Sequence, residues 1–199
     1  MLRITRVQGT QCGGRSSNWH NRFRPCAEEL ETRLAPATIV VNSVADTDNR
    51  DNDLTLLEAL MLANGTLGVN VLTQAEKNQV TGVPAQQNQR DTINFNMPGT
   101  GLQTITLAAS LPTITGIVTI DGFTQPGATS NSSPLTQGIN ATYKIVIDGS
   151  KLTGEDPGVG LTVQGPGGSI IRGLVIENCY GTEIAISSSG VCAHGSSDR

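Results

Sequence analysis

The chain has 199 residues, only 3% of them aromatic and 15% charged, with 23 glycines and a formal net charge of −4. That composition suits thin β layers better than a helix bundle, and without a basic stripe to neutralise phosphates it argues against a nucleic-acid partner. No run approaches 18 apolar residues, so no transmembrane helix is expected, and four scattered cysteines do not make a disulfide framework or a zinc site.

Residues 1–37 show neither helical nor strand periodicity and carry Arg3, Arg6, Arg15, Arg22 and Arg24. They lack the apolar core of a standard secretory signal and read as an export leader or an irregular arm. Thr38–Asn42 is a strand by its β-branched content. The next turn is rich in side-chain oxygens, with Asp46, Asp48, Asp51 and Asp53 inside eight residues. Leu56, Leu57, Leu60 and Met61 then share one helical face, Thr55 and Glu58 have capping-box spacing, and Asn64-Gly65 supplies the stop. Residues 65–90 are polar and rich in Gln and Asn, and read as a loop or an elaboration of the cap.

Strands resume at Asp91–Phe95, Gln103–Leu107 and Ile114–Ile120. Three phrases dominate the second half of the chain: Val118-Thr119-Ile120-Asp121-Gly122, Ile145-Val146-Ile147-Asp148-Gly149 and Ser169-Ile170-Ile171-Arg172-Gly173. Their charged residues lie 148 − 121 = 27 and 172 − 148 = 24 positions apart. Short alternating segments occur at Leu161/Val163, Leu174/Ile176 and Ile184/Ile186. Strand units recurring at a period in the twenties predict a β-solenoid whose coils share one core. The expected fold is therefore all-β: a right-handed parallel β-helix with one short N-terminal capping α-helix. The boundaries divide the chain into the leader or arm 1–37, a capping module 38–90 and parallel coils 91–199. About three coils are present, near the minimum for stability, so a piece of a longer protein is expected. Residues 124–142, rich in Ser, Thr, Asn and Pro, read as an insertion between coils.

In such a stack Asp121, Asp148 and Arg172 form one column, and these three are the catalytic candidates. Paired carboxylates can perform acid–base chemistry on glycosidic bonds; the structural alternative is a surface ion pair between Asp148 and Arg172. The acid-rich turn offers Asp46, Asp48, Asp51 and Asp53 as a calcium site, since calcium takes six to eight oxygens. Arg50 falls where an EF-hand would place a ligand, so that motif is excluded, and a solvated turn is the alternative. Asn178 is expected to point inward in an amide ladder. His20 and His194 sit near the two ends of the chain, which leaves no Ser-His-Asp reading, and a Cys179–Cys192 bridge stays open.

Three stretches carry family resemblances. Leu30-Glu31-Thr32-Arg33-Leu34-Ala35-Pro36-Ala37 resembles the leader segment preceding the mature part of many bacterial surface proteins. Residues 38–64, with Leu54-Thr55-Leu56-Leu57-Glu58-Ala59-Leu60 and Ala63-Asn64, are similar to the CSLREA module. Leu54 stands where that module has its namesake cysteine and Leu57 where it has arginine. Asp91–Phe95 and Ile120–Gly127 resemble entry coils of pectin-lyase-like proteins. These resemblances imply a bacterial protein at the cell surface or outside the cell, with a structural or adhesive role and polysaccharide among its partners. The alternative they imply is a polysaccharide lyase or glycoside hydrolase, in which acidic residues hold calcium and an arginine acts as base.

Overall fold

The arrangement of short strands is set by where β-branched residues alternate with polar ones. In a computed structural model of the chain, the described residues are 35–85, 89–134, 136–153, 158–187 and the backbone of 192–194. All belong to one of two compact units, Arg33–Arg199. The leader-like residues 30–34, and the remainder of the arm before them, lie outside the described residues.

The first strand, β1 (Thr38–Val41), buries Ile39 and Val41 and turns Thr38 and Val40 aside. The strands β3 (Arg90–Phe95), β5 (Ile117–Asp121) and β8 (Ile170–Arg172) lie parallel to it in turn. Their register stacks Ile39 on Ile93, Ile93 on Ile120 and Ile120 on Ile171. At a strand spacing of about 4.8 Å, each isoleucine contacts the ones above and below. β11 (Cys192–His194) continues this sheet beyond β8, and β2 (Val80–Thr81) closes its other edge antiparallel to β1. A second sheet runs β4 (Gln103–Thr106), β6 (Ile145–Asp148) and β9 (Leu174–Glu177), stacking Ile105, Ile147 and Ile176. The third pairs β7 (Leu161–Val163) with β10 (Ile184–Ile186). Inward residues of all three sheets meet in one apolar core.

Among the described residues two α-helices lie at the beginning of this core, and the first packs onto it. α1 (Leu56–Ala63) buries Leu56, Ala59, Leu60, Leu62 and Ala63, and its Thr55–Glu58 capping box forms as the spacing predicts. At the other end, Asn64 accepts from the Thr115 N–H and donates to the Thr113 carbonyl (3.0 and 2.8 Å). The helix is thereby tied to the chain around Ile114. α2 (Gln74–Lys77) is a single turn with its own capping box, Thr73 with Glu76.

This architecture corrects the expected all-β right-handed parallel β-helix with a single capping helix. The fold is mixed α/β, with two α-helices among the described residues, and its sheets combine parallel strands with an antiparallel edge pair. The sheets, of six, three and two strands among the described residues, are not a solenoid in which every two-dozen-residue phrase adds to one column. Ile120 and Ile171 are neighbours, but Ile147 belongs to the second sheet. The physical reason is that a β-branched phrase ending in glycine states only that a strand stops at a bend. It does not state which sheet the strand joins.

Gly173 shows how closely the bends pack. Its φ is +73°, and a Cβ placed there would come 2.5 Å from the Phe123 backbone nitrogen and 2.9 Å from the Phe123 ring. Gly173→Ala combines left-handed backbone strain with that collision, so a loss of about 1–3 kcal/mol is expected. Chemical denaturation measures it. An unchanged midpoint would mean that the close approach to Phe123 does not exist.

Candidate functional site

The three catalytic candidates are not brought together. Asp121 and Arg172 are register neighbours on β5 and β8, whereas Asp148 ends β6 beside Thr106 and Glu177. The column is therefore a pair. The ion pair expected between Asp148 and Arg172 forms instead between Arg172 and Asp121, where the Arg172 Nη2 donates to Oδ2 at 2.6 Å. The other Asp121 oxygen accepts from the Phe123 N–H at 3.1 Å, and the aspartate N-caps a short 3-10 turn, Gly122–Thr124. Asp121 is buried; the Arg172 side chain is about half exposed, at 51%. The Phe123 ring, over Gly173, lies 5.6 Å from that of Tyr143 at a tilt of 37°. Asn94 shares the register position on the other side of Asp121.

Asp148 has separate duties. Its carboxylate accepts from the Asn178 amide (2.9 Å) and from the Ser150 hydroxyl and N–H (2.8 and 3.1 Å). These bonds stabilise the charged form and hold the carboxyl below its ordinary 3.8, with Asn178 the largest influence. Asn178 is thus exposed and bound to Asp148, not stacked inward in an amide ladder. Its backbone sits at φ +57°, a conformation asparagine tolerates. A depressed carboxyl contributes stability above its unfolded value and loses it as pH falls through the folded one. Asn178→Ala should therefore raise the Asp148 titration midpoint toward 3.8, as monitored by carboxyl NMR. A midpoint unmoved by the substitution would count against the hydrogen bond as its cause.

The acid-rich turn is organised by an arginine. The turn closes where Asn42 exchanges bonds with the Leu54 backbone: its N–H donates to the Leu54 carbonyl (3.1 Å) and its Oδ1 accepts from the Leu54 N–H (2.6 Å). Within it the four aspartates part ways. Asp46 accepts from the Ala108 N–H (2.7 Å), Asp48 pairs with Arg50, Asp51 accepts from the Asp53 N–H (2.8 Å), and Asp53 lies near the Asn42 amide (3.4 Å). Among the described residues no three His, Cys, Asp or Glu side chains gather in metal-ligand geometry.

Arg50 also reaches into the protein. Its Nη2 donates to Glu58 Oε1 at 2.6 Å, and its Nη1 lies 3.7 Å from Glu76 Oε1. Both glutamates are fully buried. Glu58 Oε2 accepts from the Thr55 N–H (2.9 Å), and Glu76 accepts from the Thr73 and Asp51 N–H groups (2.6 and 3.2 Å). Burial raises the Glu58 carboxyl above its ordinary 4.5 against the opposing pull of Thr55 and Arg50. Glu76 is absent from the sequence-based candidates, although Thr73-x-x-Glu76 repeats the spacing that identifies Glu58. Asp91 is absent from them too: buried, it accepts from the Ala37 and Ala85 N–H groups (2.9 and 2.7 Å), partners that no local spacing announces.

Cys179 is a free, half-buried thiol, and the Cys192 side chain lies outside the described residues. Burial, and then Glu183, push the Cys179 thiol up, which disfavours a reactive thiolate. No helix among the described residues is long and apolar enough to cross a membrane.

Comparison of the chain with protein-family models, with curated proteins and with solved structures finds no match.

Proposed function

We propose that this chain is a structural or adhesive module of an exported bacterial cell-surface protein, non-catalytic, with polysaccharide as the partner it contacts. The observation that carries this reading is how the charged candidates are occupied. Asp121 is bound by Arg172 and by a backbone N–H, and Asp148, in another sheet, is bound by Asn178 and Ser150. A general acid or base needs a carboxyl oxygen directed at substrate, and every oxygen of these two carboxylates already accepts a hydrogen bond from the protein. Parallel strands stacked in register, with a helical cover over the first of them, suit a stiff scaffold. The leader-like and CSLREA-like stretches support export to the surface.

One observation favours an enzyme instead: Arg172 stays half exposed while paired with Asp121, and a guanidinium open to solvent suits an acidic sugar. Incubation with uronate polymers separates the two readings. Binding without chain cleavage is expected, retained in Asp148→Ala. Depolymerisation abolished by Arg172→Ala or Asp121→Ala would overturn the non-catalytic reading. Export is tested by whether antibody against the folded chain labels intact cells; labelling only after lysis would refute it.

Calcium is the cation that the chemistry of the acidic turn suits, and binding would require Asp48 to exchange Arg50 for metal. Because the four aspartates already hold N–H groups or Arg50, millimolar calcium is expected to leave Tm unchanged. A concentration-dependent rise in Tm, removed by chelator, would show that the exchange takes place.

A further inference from the structure

The Arg50 cluster belongs neither to the proposed binding surface nor to ordinary core packing. Three carboxylates converge on one guanidinium: Asp48 from the turn, Glu58 from α1 and Glu76 from α2. Two of the three are fully buried. The cation is also unevenly shared. Nη2 serves Asp48 and Glu58, while Nη1 is buried without a hydrogen bond and faces Glu76 only at 3.7 Å. With every carboxylate charged the cluster carries a net −2, and its two glutamates are buried side by side, where like charges repel more strongly than in water.

We propose that α1 and α2, joined through Arg50, work as a pH-sensitive latch at the start of the core, closed most tightly in mild acid and loosened as Glu58 gives up its proton beside Glu76. The groups that act on Glu58 come from every element around it. The turn brings Arg50, with Asp48 behind it, α2 brings Glu76, and the start of α1 brings Thr55. Thr55 and Arg50 favour the carboxylate; burial and Glu76 favour the acid, and burial is the largest influence. The folded chain therefore holds this proton more tightly than the unfolded chain does. Its stabilising contribution is full below the ordinary 4.5 and fades as pH rises through the raised folded value. A protonated Glu58 retains one oxygen to accept from Thr55 and gains a donor, so the capping box survives in the closed state. Both helices respond together, because α1 and α2 are each capped by a glutamate that faces the same arginine.

Amide hydrogen exchange on the whole chain tests the latch. Protection of α1 and α2 amides is compared with that of β5 between mild acid and neutral pH, after correction for intrinsic exchange. Helix protection is expected to fall relative to β5, by up to about tenfold per pH unit for one proton, and then to level off. Glu58→Gln keeps a residue that serves a capping box but removes the titration, so its profile should be flat. Helix protection that tracks β5 in the wild type, or a Glu58→Gln profile with the wild-type slope, would overturn the latch. Carboxyl NMR of wild-type Glu58 gives an answer independent of any variant: a midpoint above 4.5 supports the latch, and one at or below it refutes it.

Discussion

Replacing Ile120 with alanine is expected to destabilise the protein by about 2–5 kcal/mol. Ile120 is fully buried at the centre of the largest sheet, with Ile93 in register on one side and Ile171 on the other. Truncation removes three carbons from a position where the neighbours cannot close in. β3 and β8 are each held by their own backbone ladders, so the strands cannot slide to fill the void. The loss therefore includes a cavity contribution on top of transfer free energy. Against a total stability of roughly 5–15 kcal/mol, it should lower Tm by on the order of 10 °C. Ile120→Val, which keeps the β-branch, should cost only about 0.5–1.5 kcal/mol. Ile186, on the edge strand β10 and 42% exposed, is the contrast: its alanine variant should lose less than about 1 kcal/mol. Equal losses at Ile120 and Ile186 would refute the in-register stacking from which the core is built.

That contrast shows what a sequence of this kind reveals and what it withholds. Inward positions such as Ile39, Ile93 and Ile120 are legible because alternation within a strand is a local property, fixed by the two-residue pleat. The Thr55–Glu58 cap is legible for the same reason: both partners lie within one turn. The partner of a strand is not local. Spacings of 27 and 24 residues suggest one column, but the neighbour of Asp121 in its sheet is Arg172, 51 positions away, while Asp148 joins a different sheet. Strand phrases alike in β-branched content and terminal glycine carry no mark of which sheet they enter. The second helix is hidden differently. Gln74–Lys77 is too short for hydrophobic periodicity, and only its capping pair, Thr73 and Glu76, betrays it. In the sequence Arg50 is merely the residue that spoils a calcium loop. Its role becomes visible only when two separate helices place their glutamates around it.

Arg50→Met should then cost more than its partial exposure suggests, about 3 kcal/mol at neutral pH. The guanidinium side chain is 28% exposed, which places the loss at the low end of the roughly 3–5 kcal/mol typical when one member of a buried charge pair is removed. Methionine replaces much of the stem's packing, so the loss isolates the charge. Glu58 and Glu76 are left in the core facing each other, with Thr55, Thr73 and the Asp51 N–H as their only remaining donors among the described residues. Lysine should rescue poorly. A single ammonium cannot span Asp48, Glu58 and Glu76 as the two ends of the guanidinium do. The penalty should shrink in mild acid, where the stranded Glu58 is neutral, so the stability difference between wild type and variant narrows as pH falls. Urea denaturation of both proteins across that range measures it. A difference that stays constant or widens toward acid would mean that Arg50 acts through its hydrocarbon stem, and that the buried glutamates do not depend on its charge.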